Sequence, residues 1–210
     1  MLLKICGITN LDDAIQSVRH GANALGFNFF PESPRYIEPE KISQIVAALP
    51  SEVLKVAIVV VPKKKEDEKW EKLLTVLGRL PIDVLQLHGL RSESEVPKTT
   101  KRVFVATSPS KAHSFPGREI IIDISWGRGV RADWDEVRKL KSQVILSGGL
   151  TPENVEQAIR FLQPVGVDVC SGIESSPGIK DISRLKSFLD TARKAANSYG
   201  DRKRREFRQK

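Results

Sequence analysis

A chain of 210 residues, 40% of them hydrophobic, can bury one sizeable core, and a single domain is the economical reading. No apolar run approaches the ~18 residues of a membrane span, and no charged leader region precedes the first strand, so no membrane partner and a cytoplasmic location are expected. Two cysteines, Cys6 and Cys170, make neither a secretory disulfide framework nor a metal or redox spacing, and the net charge of +8 matters only where it is concentrated.

Short β-branched or Leu-rich runs alternate with amphipathic segments along the whole chain. The first strand is expected at Leu2 to Ile8, with a helix over Asp12 to His20. A second strand, Ala24 to Phe29, precedes a helix over Pro39 to Leu49, and a third, Leu54 to Val61, precedes one over Glu66 to Leu80. The run Lys63-Lys64-Lys65 meets Glu66, Asp67 and Glu68 and reads as a solvated helix start. Strands four and five, Val84 to His88 and Val103 to Thr107, are followed by weak segments. Ser92 to Thr100 is short, and Ser108 to Gly117 contains Pro109, Pro116 and Gly117, which predicts a loop in place of the fifth helix. Strand six, Glu119 to Ile124, leads to a helix over Trp134 to Lys141. Strand seven, Gln143 to Ser147, leads to one opening at Thr151-Pro152 and running to Leu162. Strand eight, Val167 to Cys170, precedes a last helix over Ile182 to Ala196. Residues 201–210 carry six Lys/Arg against two Asp/Glu, half of the net charge. We read residues 198–210 as a frayed, solvating basic tail with no nucleic-acid partner, and residues 1–197 as the folded domain.

Eight βα units in an α/β chain of this length predict a single (β/α)8 TIM barrel, with an open doubly wound sheet as the alternative. No Gly-x-Gly-x-x-Gly fingerprint follows the first strand. Barrel sites form at the carboxyl ends of the strands, where Cys6, Asn28, His88, Asp123, Ser147 and the group from Asp168 to Gly172 fall. Alternation puts Lys4 with Cys6, Gln86 with His88, Ile121 with Asp123 and Asp168 with Cys170 on the inward faces. Two glycine-containing turns follow the last two strands: Ser147, Gly148 and Gly149, then Ser171 and Gly172. Backbone N–H groups there, with a short helix N-terminus, suit a phosphate; either turn alone would be equally well read as plain turn chemistry.

Five segments carry a more specific signal: Lys4-Ile-Cys-Gly-Ile-Thr9, Gly26-Phe-Asn-Phe-Phe-Pro-Glu-Ser-Pro-Arg-Tyr-Ile37, Leu85-Gln-Leu-His-Gly89, Ser147-Gly-Gly-Leu-Thr-Pro-Glu-Asn154 and Gly166-Val-Asp-Val-Cys-Ser-Gly-Ile-Glu-Ser-Ser-Pro-Gly-Ile-Lys-Asp181. Together they resemble the phosphoribosylanthranilate isomerase family of tryptophan biosynthesis. The resemblance implies an Amadori rearrangement of a small phosphosugar-anthranilate substrate, no cofactor or metal, and a monomer or homodimer. It also implies roles: Cys6 as general base and Asp123 as general acid, with Arg35 pairing the anthranilate carboxylate through its guanidinium fork, a free surface arginine being the alternative for Arg35. His88 is divided between substrate contact and scaffold, and Asp168 between sugar hydroxyls and a pair with Lys4. The chain departs from the family pattern in Ser125-Trp-Gly-Arg-Gly-Val130 after strand six, in Phe104-Val-Ala-Thr-Ser108 of strand five, and in Cys170, where serine is usual. Cys170 faces inward on the strand next to Cys6, which makes the two thiols expected neighbours. The competing readings are a related phosphosugar barrel isomerase, which would resemble a pair of aspartates in place of Cys6 and Asp123, and a barrel that binds a phosphate ligand without catalysis.

Overall fold

Eight parallel strands close on themselves in sequence order: β1 (Leu2–Ile5), β2 (Ala24–Asn28), β3 (Leu54–Val60), β4 (Val84–His88), β5 (Arg102–Thr107), β6 (Glu119–Ile122), β7 (Val144–Leu146) and β8 (Gly166–Val169). The structure, a computed structural model, describes residues 1–62, 68–123, 133–140 and 143–208, the last ten of these as helix backbone. The ring is sealed where Leu2, Leu3, Lys4 and Ile5 of β1 pair in register with Gly166, Val167, Asp168 and Val169 of β8. An open doubly wound sheet is therefore excluded.

Parallel strands covered by helices are buried on both faces, which is why β3 reads Val56-Ala57-Ile58-Val59 without polar interruption. Ala24, Val56, Val84, Phe104, Ala106, Ile121 and Ile145 fill the ring's interior. A larger apolar shell, including Leu25, Phe27, Val59, Leu87, Val105 and Leu146, packs outward against the helices, among them Leu185 and Phe188.

The helices are α1 (Leu11–Arg19), α2 (Pro39–Ala47), α3 (Glu68–Arg79), α4 (Trp134–Arg138), α5 (Val155–Leu162) and α6 (Ile182–Arg208). A 3-10 turn, Glu93–Glu95, and a six-residue 3-10 segment, Pro109–Ser114, occupy the two connections whose sequence was weakest, so no α-helix follows β5, where a loop was expected. Asn10 caps α1, its Oδ1 accepting from the Asp13 N–H at 2.8 Å, and Pro39 opens α2 at the position where its missing N–H costs nothing.

Several boundaries differ from the sequence reading. β1 ends at Ile5 rather than Ile8, because Gly7 turns the chain out of the ring with φ +72°. α5 opens at Val155, not at Pro152. Asn154 instead braces the preceding loop, its Nδ2 donating to the Gly149 carbonyl at 2.8 Å and its Oδ1 accepting from the Thr151 N–H at 2.9 Å. The expected start of α3 at Glu66, the end of α4 at Lys141 and the loop Ser125 to Val130 lie outside the described residues. The last helix continues as backbone to Arg208, through much of the basic tail. An unforeseen antiparallel hairpin, β9 (Glu174–Ser176) with β10 (Ile179–Lys180), follows the eighth strand. Among the described residues no helix is long and apolar enough to cross a membrane.

Candidate active site

A cavity of about 290 Å³ opens at the carboxyl end of the ring. Cys6, Arg35, His88, Asp123 and Asp168 line it, and so do Ser147, Gly148, Gly149, Ser171 and Gly172. Every residue singled out from the sequence thus reaches one space, because each sits at or just beyond the end of a strand that points the same way.

Cys6 follows β1 directly and stays in register, its N–H donating to the Val169 carbonyl at 2.9 Å. A hydrogen bond from the Cys170 thiol is the strongest influence on it and lowers its pKa; burial opposes, and the Lys4 and Lys180 ammonium groups lower it further. The net result is a thiol more acidic than the ordinary 9.0. Cys170, as the donor of that bond and itself buried, is pushed well above the ordinary range. The expected proximity of the two thiols is therefore present, and both are free. Gly7 makes room for the contact, since a Cβ there would stand 2.7 Å from Arg35 Cδ and 2.9 Å from Cys170 Sγ.

Beneath the thiols, Lys4 donates to Asp168 Oδ1 at 2.8 Å with both side chains buried. Burial opposes the Lys4 charge, but Asp168 and Cys6 outweigh it and raise the pKa. Ser147 Oγ donates to the other Asp168 oxygen at 3.0 Å. Pairing with Lys4, one of the two readings of Asp168, is what the structure shows, and each of its oxygens already accepts one hydrogen bond. His88 contacts Gln86, Nε2 to Nε2 at 2.9 Å. Burial lowers the His88 pKa against the attraction of Asp123, which leaves a neutral imidazole at pH 7. Asp123 is held at the end of β6 by its N–H, which donates to the Thr107 carbonyl at 3.1 Å.

Arg35 is carried on the loop after β2, which Asn28 shapes by accepting from the Phe30 N–H at 2.9 Å and donating to Ser33 Oγ at 3.0 Å. The guanidinium is already half engaged. Nε donates to both Glu174 oxygens at 3.0 and 3.1 Å, and Nη2 donates to Oε2 at 2.7 Å. Lys180 Nζ reaches the same carboxylate at 2.8 Å and the Cys6 carbonyl at 2.6 Å. Burial alone would raise the Glu174 pKa, but Arg35 and Lys180 hold it below the usual carboxylate range.

The loops after β7 and β8 meet face to face. A Cβ on Gly172 would lie 1.9 Å from the Leu150 carbonyl oxygen, so only glycine permits this approach. Gly148 and Gly149 both take positive φ, +84° and +63°. Among the described residues the N–H groups of Gly148, Gly149 and Gly172 have no backbone partner. The element after β8 is a three-residue 3-10 turn, Ser171–Ile173, too short to add much of a helix dipole, and the Ser147 hydroxyl is already directed to Asp168. An anion would be bound here by the backbone groups.

Glu174 and Lys180 were not singled out from the sequence. They lie in a polar stretch that gives no periodic signal, and only the hairpin turns them inward. Among the described residues no cluster of three or more His, Cys, Asp or Glu side chains is arranged to hold a metal ion.

A closed parallel barrel whose mouth gathers a thiol, carboxylates and two glycine loops has the architecture of a (β/α)8-barrel enzyme. The family model described as N-(5'-phosphoribosyl)anthranilate (PRA) isomerase matches residues 3–191. The N-(5'-phosphoribosyl)anthranilate isomerase of Thermotoga petrophila is 36% identical over 206 residues, 91% of this chain and 98% of that protein. That of Nitrosococcus oceani is 37% identical, over 89% and 95%. A crystal structure of a phosphoribosylanthranilate isomerase in complex with reduced 1-(o-carboxyphenylamino)-1-deoxyribulose 5-phosphate is 37% identical, with a TM-score of 0.79 over 92% of this chain and 98% of that one. The Thermotoga maritima enzyme gives 36% and 0.80 over the same shares. The chain belongs to the N-(5'-phosphoribosyl)anthranilate isomerase family.

Proposed function

We propose that this chain catalyses the Amadori rearrangement of N-(5-phosphoribosyl)anthranilate to 1-(2-carboxyphenylamino)-1-deoxyribulose 5-phosphate in tryptophan biosynthesis, with Cys6 as base and Asp123 as acid. The observation that carries the reading is the convergence of Cys6, Asp123 and the glycine loops of β7 and β8 on one cavity in a chain of this family. Asp123 in its acid form protonates the ring oxygen. The C1–O bond breaks as the nitrogen lone pair forms a C1=N iminium. The Cys6 thiolate then removes the C2 proton, and its electrons form C1=C2 and neutralise the nitrogen. The enolamine gains a proton at C1 and loses the hydroxyl proton at C2 to give the ketone, so substrate and product are isomers.

The loops at Ser147, Gly148, Gly149, Ser171 and Gly172 hold the phosphate through backbone N–H groups. Arg35 keeps its Nη1 and the outer hydrogen of Nη2 for the aryl carboxylate, while Glu174 holds the other edge. The lone pairs of Asp168 and the neutral His88 are suited to sugar hydroxyls. A monomer or homodimer in the cytosol fits this reading; the Thermotoga maritima enzyme is dimeric, and monomers generated from it have also been crystallised.

The test is turnover of freshly formed N-(5-phosphoribosyl)anthranilate by the purified chain, followed by loss of anthranilate-type fluorescence. Cys6→Ala and Asp123→Asn should each lower kcat by about 10²–10⁴, the usual worth of general acid–base catalysis, with little change in KM. Turnover by Cys6→Ala within about threefold of the parent would remove Cys6 from the mechanism.

A further inference from the structure

The Glu174 side chain is 4% exposed and accepts from donors on two separate parts of the chain: Arg35 on the β2 loop, and Lys180 with the Gly178 N–H (3.2 Å) on the hairpin. A carboxylate so fully engaged has one orientation. Its partner Lys180 is fully buried and also holds the carbonyl of Cys6. The hairpin that carries both is anchored from outside the cavity: Thr9 Oγ1 donates to the Gly178 carbonyl at 2.6 Å, and the Lys180 N–H donates to Asp13 Oδ2 at 3.0 Å. The proposed reaction needs none of these groups as acid or base. Two charged side chains are nevertheless buried beside it, an arrangement that costs desolvation unless every charge is met.

We infer that Glu174, locked by Lys180, is a positioning residue that aims the free edge of the Arg35 guanidinium at the substrate's aryl carboxylate. A guanidinium held along its Nε/Nη2 edge cannot rotate about its own axis, so Nη1 and the remaining Nη2 hydrogen face one direction. Without Glu174 the fork keeps its charge and loses its aim. Pre-organisation of this kind acts on the ligand group that Arg35 meets and on no other part of the ligand.

This inference rests on the proposed substrate, and its test separates the two. Wild type and Glu174→Gln are compared on N-(5-phosphoribosyl)anthranilate and on the phosphoribosylated aniline that lacks the carboxylate. The expected result is a KM about tenfold higher for Glu174→Gln on the carboxylated substrate and an unchanged KM on the aniline, with any fall in kcat, transmitted through Lys180 to Cys6, common to both substrates. In the Arg35→Ala background, Glu174→Gln should add nothing to KM. An equal KM rise on both substrates, or KM effects that add to those of Arg35→Ala, would overturn the inference and leave Glu174 a structural residue. Should Glu174→Gln not fold, Glu174→Asp keeps the charge and withdraws it by one methylene, with the same selective loss expected; failure of both to fold also assigns Glu174 to structure alone. Absence of wild-type turnover is the distinct outcome that defeats the proposed function.

Discussion

Cys6 owes its acidity mainly to the Cys170 thiol, which makes the pH profile sensitive to a residue that touches no reacting bond. A base must be deprotonated to act, so kcat/KM should rise with pH and level off with an apparent pKa below the ordinary 9.0. Cys170→Ala removes the donor, and the acid limb should move to higher pH, while Cys170→Ser keeps a hydroxyl donor and should move it little. Alkylation of Cys6 by iodoacetamide, measured against pH by mass spectrometry, reports the same titration without turnover. An identical limb in Cys170→Ala and wild type would show that the thiol pair is a packing contact only.

The loops after β7 and β8 act as one element because the Gly172 backbone lies against the Leu150 carbonyl. Gly172→Ala must force them apart. The expected outcome is a parallel rise, on the order of tenfold, in KM and in the inhibition constant of inorganic phosphate, since two or more charge-assisted hydrogen bonds lose alignment. Unchanged phosphate inhibition would move the phosphate site elsewhere. The β9–β10 hairpin has its own pH signature. The folded-state pKa of Glu174 is lowered, so its contribution is present above the ordinary 4.5 and is lost as pH falls through the folded value. The protection factors of the Glu174–Lys180 amides, exchange rates corrected for the intrinsic pH dependence, should therefore fall below about pH 4.5, by that linkage, before the barrel strands open.

For the whole molecule, the Lys4–Asp168 pair sits in the seam that closes the ring and also forms the floor of the site. Removing one buried partner leaves the other charge uncompensated, and Lys4→Met should cost about 3–5 kcal/mol in urea unfolding. The double variant Lys4→Met with Asp168→Leu should recover part of that loss, because neither charge is then stranded. If the double variant were less stable than the sum of the two singles, the pair would not be the source of the effect.

Strand alternation, glycine punctuation and the polar residue ending each strand depend on local chemistry, so the ring, the missing fifth helix and nine of the ten candidates that line the cavity could be named from residue order, while Arg35 entered only through the family resemblance. The weak segment Ser108 to Gly117 announced its own loop through two prolines, and Cys6 and Cys170 were foreseeable neighbours because β1 must pair with β8 in a closed ring. What remained open concerned partners rather than positions. Whether Asp168 faced a ligand or Lys4, and whether Arg35 was free or half engaged, depend on distances between segments over 130 residues apart. Glu174 and Lys180 stand in a short polar stretch with the composition of any exposed turn. Only in the folded barrel is the hairpin tied to the segment that follows β1, through Thr9, Asp13 and the Cys6 carbonyl, which buries two charges that local sequence would assign to solvent. Burial of a charge is decided by which opposite charges come within reach, and that is a property of tertiary contacts alone.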